Sequence, residues 1–284
     1  MLLKSINYWS YPGGLEGTLA LADFFAAAKR DGFEAVEVAI GHEGALTVDA
    51  TQEECGELRD LASEAGVEIA SVASGTYWSR AVADPGEAGQ LAEQDLKKML
   101  RITGWLGCRA LLVIPGAVDV FFLPDRAAQP YDEVLERAYE GLSRCLGAAE
   151  EASVVMAIEN VWNRFLMSPT EMADFIDSFE SPFVGSYFDV ANVLPFGYPD
   201  QWLRILGHRV AGVHFKDYRR SVGTAEGFVN LLEGDVDFAA VMDALREIGY
   251  SGPVAAELLP LNKQHPELKC AFASQAMDRI LGRA

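Results

Sequence analysis

Short apolar runs alternate with longer segments of helical period along the whole chain. The runs fall at 2–9, 35–40, 68–75, 110–116, 154–161, 184–193, 210–217 and 253–260. They are β-branched or aromatic and nearly continuous, which is the pattern of strands buried on both faces of a parallel sheet. Segments with apolar residues at i, i+3 and i+4 lie between them, at 18–30, 51–66, 87–107, 131–152, 168–179, 238–249 and 265–282, with a shorter one at 199–207. Thr18, Thr51, Ser168 and Asp237 stand where helix N-caps belong, and Gly32, Gly66, Gly107 and Gly249 fall just past helix ends. Eight strand–helix units joined by right-handed crossovers close into a (β/α)8 TIM barrel, here a single domain over 1–284. An open doubly wound sheet would want a Gly-rich phosphate loop after the first strand. Tyr11-Pro12-Gly13-Gly14 is not one.

Composition sharpens this picture. A chain of 284 residues, half of them hydrophobic, carries a large core and suits one barrel of roughly 250 residues. The formal charge of −19 excludes non-specific nucleic-acid binding, which needs a basic footprint on the phosphates. A small anionic substrate stays open, because a few local cations override a distant net charge. Cys55, Cys108, Cys145 and Cys270 form no CxxC pair and read as reduced, buried thiols. The start, MLLKSINYWSYPGG, lacks the apolar core of a signal peptide, and no apolar run approaches the roughly 18 residues of a membrane span. A cytoplasmic location without membrane contact is expected.

Barrel chemistry sits at the C-terminal ends of strands. Four consecutive predicted strands end in a metal-ligating side chain: Glu159, Asp189, His214 and Glu257. Three carboxylates converging in a core repel one another unless a cation holds them. Three oxygen donors and one imidazole, without thiolate, suit Mn²⁺ or Mg²⁺, with Co²⁺ or Zn²⁺ also accommodated. An octahedral ion so held keeps two positions for adjacent hydroxyl and carbonyl oxygens, which points to a sugar or polyol. Glu37, Asn160, Asn192, Lys216 and Asp217 are further polar residues at strand ends.

The segments AIENVWNRF, GSYFDVANVLPFG, VAGVHFKD and EIGYSGPVAAEL resemble the xylose-isomerase-like barrel superfamily. The resemblance spans essentially the whole chain and is nearest to the sugar-phosphate isomerase/epimerase branch, with its ketose 3-epimerases and hexulose-phosphate isomerase-like proteins. It implies one divalent metal, often Mn²⁺, on Glu159, Asp189, His214 and Glu257. It also implies a metal-stabilised cis-enediolate, with Glu159 and Glu257 moving the C3 proton between faces. Lys216 is expected to pair with Asp217 or to donate to a substrate oxygen. Glu37 is expected to bond a ligand or to orient His42.

Two departures from free-ketose 3-epimerases stand out. Asn192 occupies a position where those enzymes carry histidine, and Phe165 and Leu166 follow Asn163-Arg164 where they place a glutamate. A different head group, phosphate included, is therefore admitted. Arg164, Arg219 and Arg220 are the candidate clamps, and Trp9, Tyr77, Trp78 and Trp162 the candidate aromatic walls. The leading reading is an isomerase or 3-epimerase of a ketose or ketose phosphate, with dimers or tetramers implied by the resemblance. An inosose-type keto-polyol dehydratase using the same metal is the alternative. An apurinic endonuclease would want more histidines and a basic groove, and a non-catalytic sugar-binding barrel would not need all four ligands.

Overall fold

The computed structural model describes residues 2–259 and 264–283. Eight parallel strands close a barrel: β1 (Leu3–Asn7), β2 (Ala35–Ile40), β3 (Glu68–Ser74), β4 (Ala110–Val113), β5 (Val155–Glu159), β6 (Val184–Asp189), β7 (Val210–Phe215) and β8 (Pro253–Ala256). Each strand pairs with its neighbour in sequence, and β8 closes on β1 through Leu3↔Pro253 to Ile6↔Ala256. All eight apolar runs thus become strands, and all but β2, which fills its run, end earlier than the runs themselves. Position 260, at the end of the last run, lies outside the described residues. Among those described, no helix is long and apolar enough to cross a membrane.

The outer layer consists of α1 (Leu21–Arg30), α2 (Gln52–Ala65), α3 (Glu87–Trp105), α4 (Tyr131–Ser143), α5 (Leu146–Ala152), α6 (Pro169–Asp177), α7 (Pro199–Leu206), α8 (Phe238–Glu247) and α9 (Leu268–Ile280). Three expected caps form. Thr51 makes a capping box with Glu54, Ser168 accepts from the Glu171 amide, and Asp237 accepts from that of Ala240. Thr18 does not cap: α1 starts after Ala20, and the Thr18 hydroxyl bonds the Gly13 carbonyl instead. The segment 131–152, expected as one helix, breaks at Arg144 and Cys145. Both side chains are tied sideways to α3, the guanidinium to the Glu93 carboxylate and the thiol to the Glu93 carbonyl.

Two register shifts interrupt the barrel ladder, one beside Glu37 in β2 and one beside Tyr187 in β6. Such irregularities re-aim side chains. Here they flank two residues that meet in the barrel interior.

Candidate active site

Parallel register brings the four candidate ligands at the strand ends together. Asp189 of β6 stands opposite His214 of β7, and Glu257 directly follows Ala256, the partner of Phe215. One ligand atom from each of Glu159, Asp189, His214 and Glu257 lies within 4.8 Å of the others, and all four residues are buried. His214 Nδ1 is 3.6 Å from Glu159 Oε1 and 3.7 Å from Glu257 Oε2.

Two polar atoms of this cluster, Asp189 Oδ2 and His214 Nδ1, are buried with no hydrogen-bond partner among the described residues. Their neighbours show why. Asp189 Oδ1 accepts from the backbone amides of Ala191 and Asn192, which leaves Oδ2 turned inward. His214 Nε2 lies 2.7 Å from Glu37 Oε1. A carboxylate only accepts, so Nε2 carries the proton and Nδ1 is the nitrogen left able to ligate. Orphaned oxygen and nitrogen donors facing one centre beside two carboxylates are what a hard divalent ion requires. The cluster fits one.

Glu37 is itself over-determined. It accepts from Asn7 Nδ2 at 2.6 Å, from Ser71 Oγ at 2.7 Å and from the Tyr187 hydroxyl. Its place is beneath His214, not beside His42, whose ring lies 3.0 Å from Asp95 and 2.9 Å from Arg80. The expectation that Glu37 orients His42 is therefore corrected: a strand residue facing the barrel interior cannot reach into the following loop. Gly212 completes the arrangement, since a Cβ there would lie 2.5 Å from Tyr187 Cε2. We expect Gly212→Ala to push Tyr187 off Glu37, costing about 1–3 kcal/mol of stability. Thermal melts alongside Mn²⁺ titrations check this, and metal affinity should fall although no ligand is altered.

A family model described as xylose isomerase-like TIM barrel matches residues 25–271. The chain belongs to this family. The L-ribulose-5-phosphate 3-epimerase UlaE of Salmonella paratyphi A is 23% identical over 288 residues, covering 100% of this chain and 98% of that protein. Among solved structures, the D-psicose 3-epimerase of Clostridium cellulolyticum H10 with D-tagatose superposes with a TM-score of 0.78 at 15% identity, covering 99% of each chain. An L-ribulose 3-epimerase gives 0.79 at 17% identity, covering 99% of this chain and 95% of that one. At these identities the structural likeness shows the fold.

In this xylose isomerase-like barrel, the other expected site residues divide into those that reach the cluster and those with partners elsewhere. Lys216 is near: its Nζ lies 2.5 Å from Glu257 Oε2, 3.6 Å from Asp189 Oδ2 and over the Phe228 ring. It does not pair with Asp217, because successive residues of an extended chain face opposite ways. Asp217 turns outward and accepts from the amides of Tyr218, Gly234 and Val236, holding the loop that follows β7. Asn192 also has a local task, donating to the Asn160 carbonyl. Asn160 in turn bonds both backbone groups of Asp189. Trp162 Nε1 donates to the Asn192 carbonyl, and its ring packs on Tyr218 and Phe228.

The arginines are engaged elsewhere. Arg164 pairs with Asp119, Arg219 donates to the Glu233 carbonyl, and Arg220 donates to the Gly197 carbonyl while stacking on Tyr198. Tyr77 is core, its hydroxyl on the Leu112 carbonyl, and Trp78 packs against Phe122. Trp9 is half-buried beside Tyr8 and His42, where it helps to line a separate cavity. Tyr187, Ser71 and Asn7 escaped the sequence reading, since each looks like ordinary strand filling.

Electrostatics follow from burial and from these pairs. Burial pushes the Glu159 carboxyl up to about 7, opposed by its contact with His214 and reinforced by the charge of Glu257. Burial also raises Asp189, against the pull of Lys216. For Glu257 burial acts upward too, but the charges of Lys216 and His214 outweigh it and hold the carboxyl low. Burial would lower His214, yet the charges of Glu37 and Glu257 overcome it and keep the imidazole protonated well above its usual range. A divalent ion must therefore displace protons from Glu159 and His214. Its affinity should fall as pH drops through about 7, and binding should release protons. Calorimetry in buffers of different ionisation enthalpy checks this, and an affinity unchanged between about pH 6 and 8 would contradict it.

Proposed function

We propose that the protein is a divalent-metal-dependent sugar epimerase that inverts C3 of a ketose, free or phosphorylated, by way of a cis-enediolate. The observation that carries this reading is the pair Glu159 and Glu257, 3.6 and 3.7 Å from His214 Nδ1 in a buried cluster whose Asp189 Oδ2 and His214 Nδ1 are orphaned. The relatives named above, all 3-epimerases of ketoses or a ketose phosphate, support it.

Glu159, Asp189, His214 and Glu257 would hold one ion, with Mn²⁺ best suited to three carboxylates and an imidazole. When bound, that ion supplies Lewis-acid stabilisation of negative charge on neighbouring substrate oxygens, which acidifies the adjoining C–H. Glu159 and Glu257 then take the C3 proton from one face and return it to the other. Lys216 compensates the charge of Glu257 and offers an ammonium proton to a substrate oxygen. Glu37 holds the His214 ring, and Trp162 walls the site. A reducing, cytoplasmic setting belongs to the same reading, since all four cysteines are buried thiols.

The test is a panel of ketoses, ketose phosphates and inososes offered to Mn²⁺-loaded protein, with chromatographic separation of products. Conversion of a ketose to its C3 epimer, lost on chelation and restored by Mn²⁺, is the expected result. A deoxy-diketone product would make the protein a dehydratase instead. No conversion of any compound would overturn the sugar reading.

A further inference from the structure

Asp189 presents a single oxygen to the cluster, and the turn that follows it is the cause. Its Oδ1 accepts from the amides of Ala191 and Asn192, both at 2.8 Å. Two donors fill the lone pairs of that oxygen, so only the orphaned Oδ2 remains to ligate. The turn is itself tied down. The Asn160 side chain accepts from the Asp189 amide and donates to the Asp189 carbonyl, each at 2.8 Å. The backbone ladder between β5 and β6 ends at Glu159↔Tyr187, so this side chain adds one more rung to it. Asn192 Nδ2 donates to the Asn160 carbonyl at 3.0 Å, and Trp162 Nε1 donates to the Asn192 carbonyl at 2.8 Å. Asn160 and Asn192 are both buried, which makes each of these bonds costly to lose.

Glu257 is restricted by a different neighbour. Lys216 Nζ lies 2.5 Å from its Oε2 and is seated over the Phe228 ring at 4.8 Å. An ammonium and a divalent ion repel at short range, so the lysine keeps Oε2 and leaves Oε1 for the ion. His214 offers only Nδ1, because Nε2 is held by Glu37. The cluster therefore offers at most five donor atoms: one each from Asp189, Glu257 and His214, and two from Glu159.

That supply decides between ions of equal charge. Ca²⁺ takes roughly six to eight oxygens, often with carboxylates that ligate through both. An octahedral ion such as Mn²⁺ is satisfied by fewer. We propose that Asn160, Asn192 and Lys216 are selectivity-determining residues, which hold Asp189 and Glu257 to one ligating oxygen each and so make the cluster discriminate against Ca²⁺. This rests on the metal-binding part of the epimerase reading. Toward the ion all three are positioning residues: the asparagines act through Asp189, and the lysine acts through Glu257.

Calorimetric titration of Mn²⁺ and of Ca²⁺ into metal-stripped protein tests this without any turnover. Wild type should prefer Mn²⁺. Asn160→Ala unties the turn and lets Asp189 offer both oxygens, so the preference for Mn²⁺ over Ca²⁺ should narrow about 10-fold or more. Lys216→Met, of similar length but without charge, frees Glu257 Oε2 and should narrow the preference in the same direction. Both ions carry the same charge, so the loss of the ammonium strengthens both alike and cancels in the ratio. The His214 nitrogen also disfavours Ca²⁺, but it is present in both variants and cannot produce the change. The two substitutions act on separate carboxylates, so either one reads the effect if the other does not fold.

A merely structural role would lower both affinities together and leave the ratio alone. An unchanged ratio in the folded variants would overturn the proposal, as would wild-type protein that binds Ca²⁺ as tightly as Mn²⁺. Failure of the metal reading registers differently: neither ion binds the wild-type protein, and the proposal falls with that reading.

Discussion

Glu257→Gln is expected to lower epimerisation about 10³-fold or more, equivalent to about 4 kcal/mol of transition-state stabilisation. Gln keeps an oxygen that can ligate, so the loss falls on proton transfer more than on metal binding. The variant also leaves Lys216 without its 2.5 Å partner. A buried ammonium deprived of its counter-charge destabilises the fold, although Asp189 remains 3.6 Å away and softens the effect. Steady-state kinetics with a parallel metal titration separate the two contributions. A variant that binds Mn²⁺ as wild type but turns over substrate at an unchanged rate would remove Glu257 from the chemistry.

The second large effect is on metal affinity. Glu37→Gln should weaken Mn²⁺ binding about 10–100-fold, although Glu37 touches no ion. The carboxylate fixes the proton on His214 Nε2 and so presents Nδ1 to the cluster. An amide has only one accepting oxygen, and three other donors already compete for the carboxylate: Asn7, Ser71 and Tyr187. At least one donor is then left buried and unsatisfied, at about 1–3 kcal/mol. Calorimetry reads the affinity, and ¹⁵N shifts of the His214 ring read the tautomer. Unchanged affinity with an unchanged tautomer would reduce Glu37 to a packing residue.

Much of the barrel is legible in the chain because both of its periods are strong. An apolar run broken by a carboxylate is expensive, which is why Glu159, Asp189 and Glu257 stand out before any fold is known. The residues beneath them do not. Tyr187 and Ser71 cost nothing in a strand, and only closure of the barrel shows that they converge on Glu37 from β6 and β3. Lys216 and Asp217 illustrate another limit. Adjacent in sequence, they suggest an ion pair, but strand alternation puts Lys216 on the same side as His214 and turns Asp217 away. The loop after β5 is likewise silent in the sequence, because the left-handed residues Arg164 and Leu166 carry no glycine to announce them.

In the proposed reaction a proton leaves and rejoins C3 at this cluster. Proton NMR of substrate turned over in D₂O by Mg²⁺-exchanged protein tests it most directly. The expected product is a C3 epimer carrying deuterium at C3, formed only with metal and lost in Glu257→Gln. An epimer that retains its original C3 hydrogen, or no C3 exchange in any ketose while the ion is bound, would contradict it.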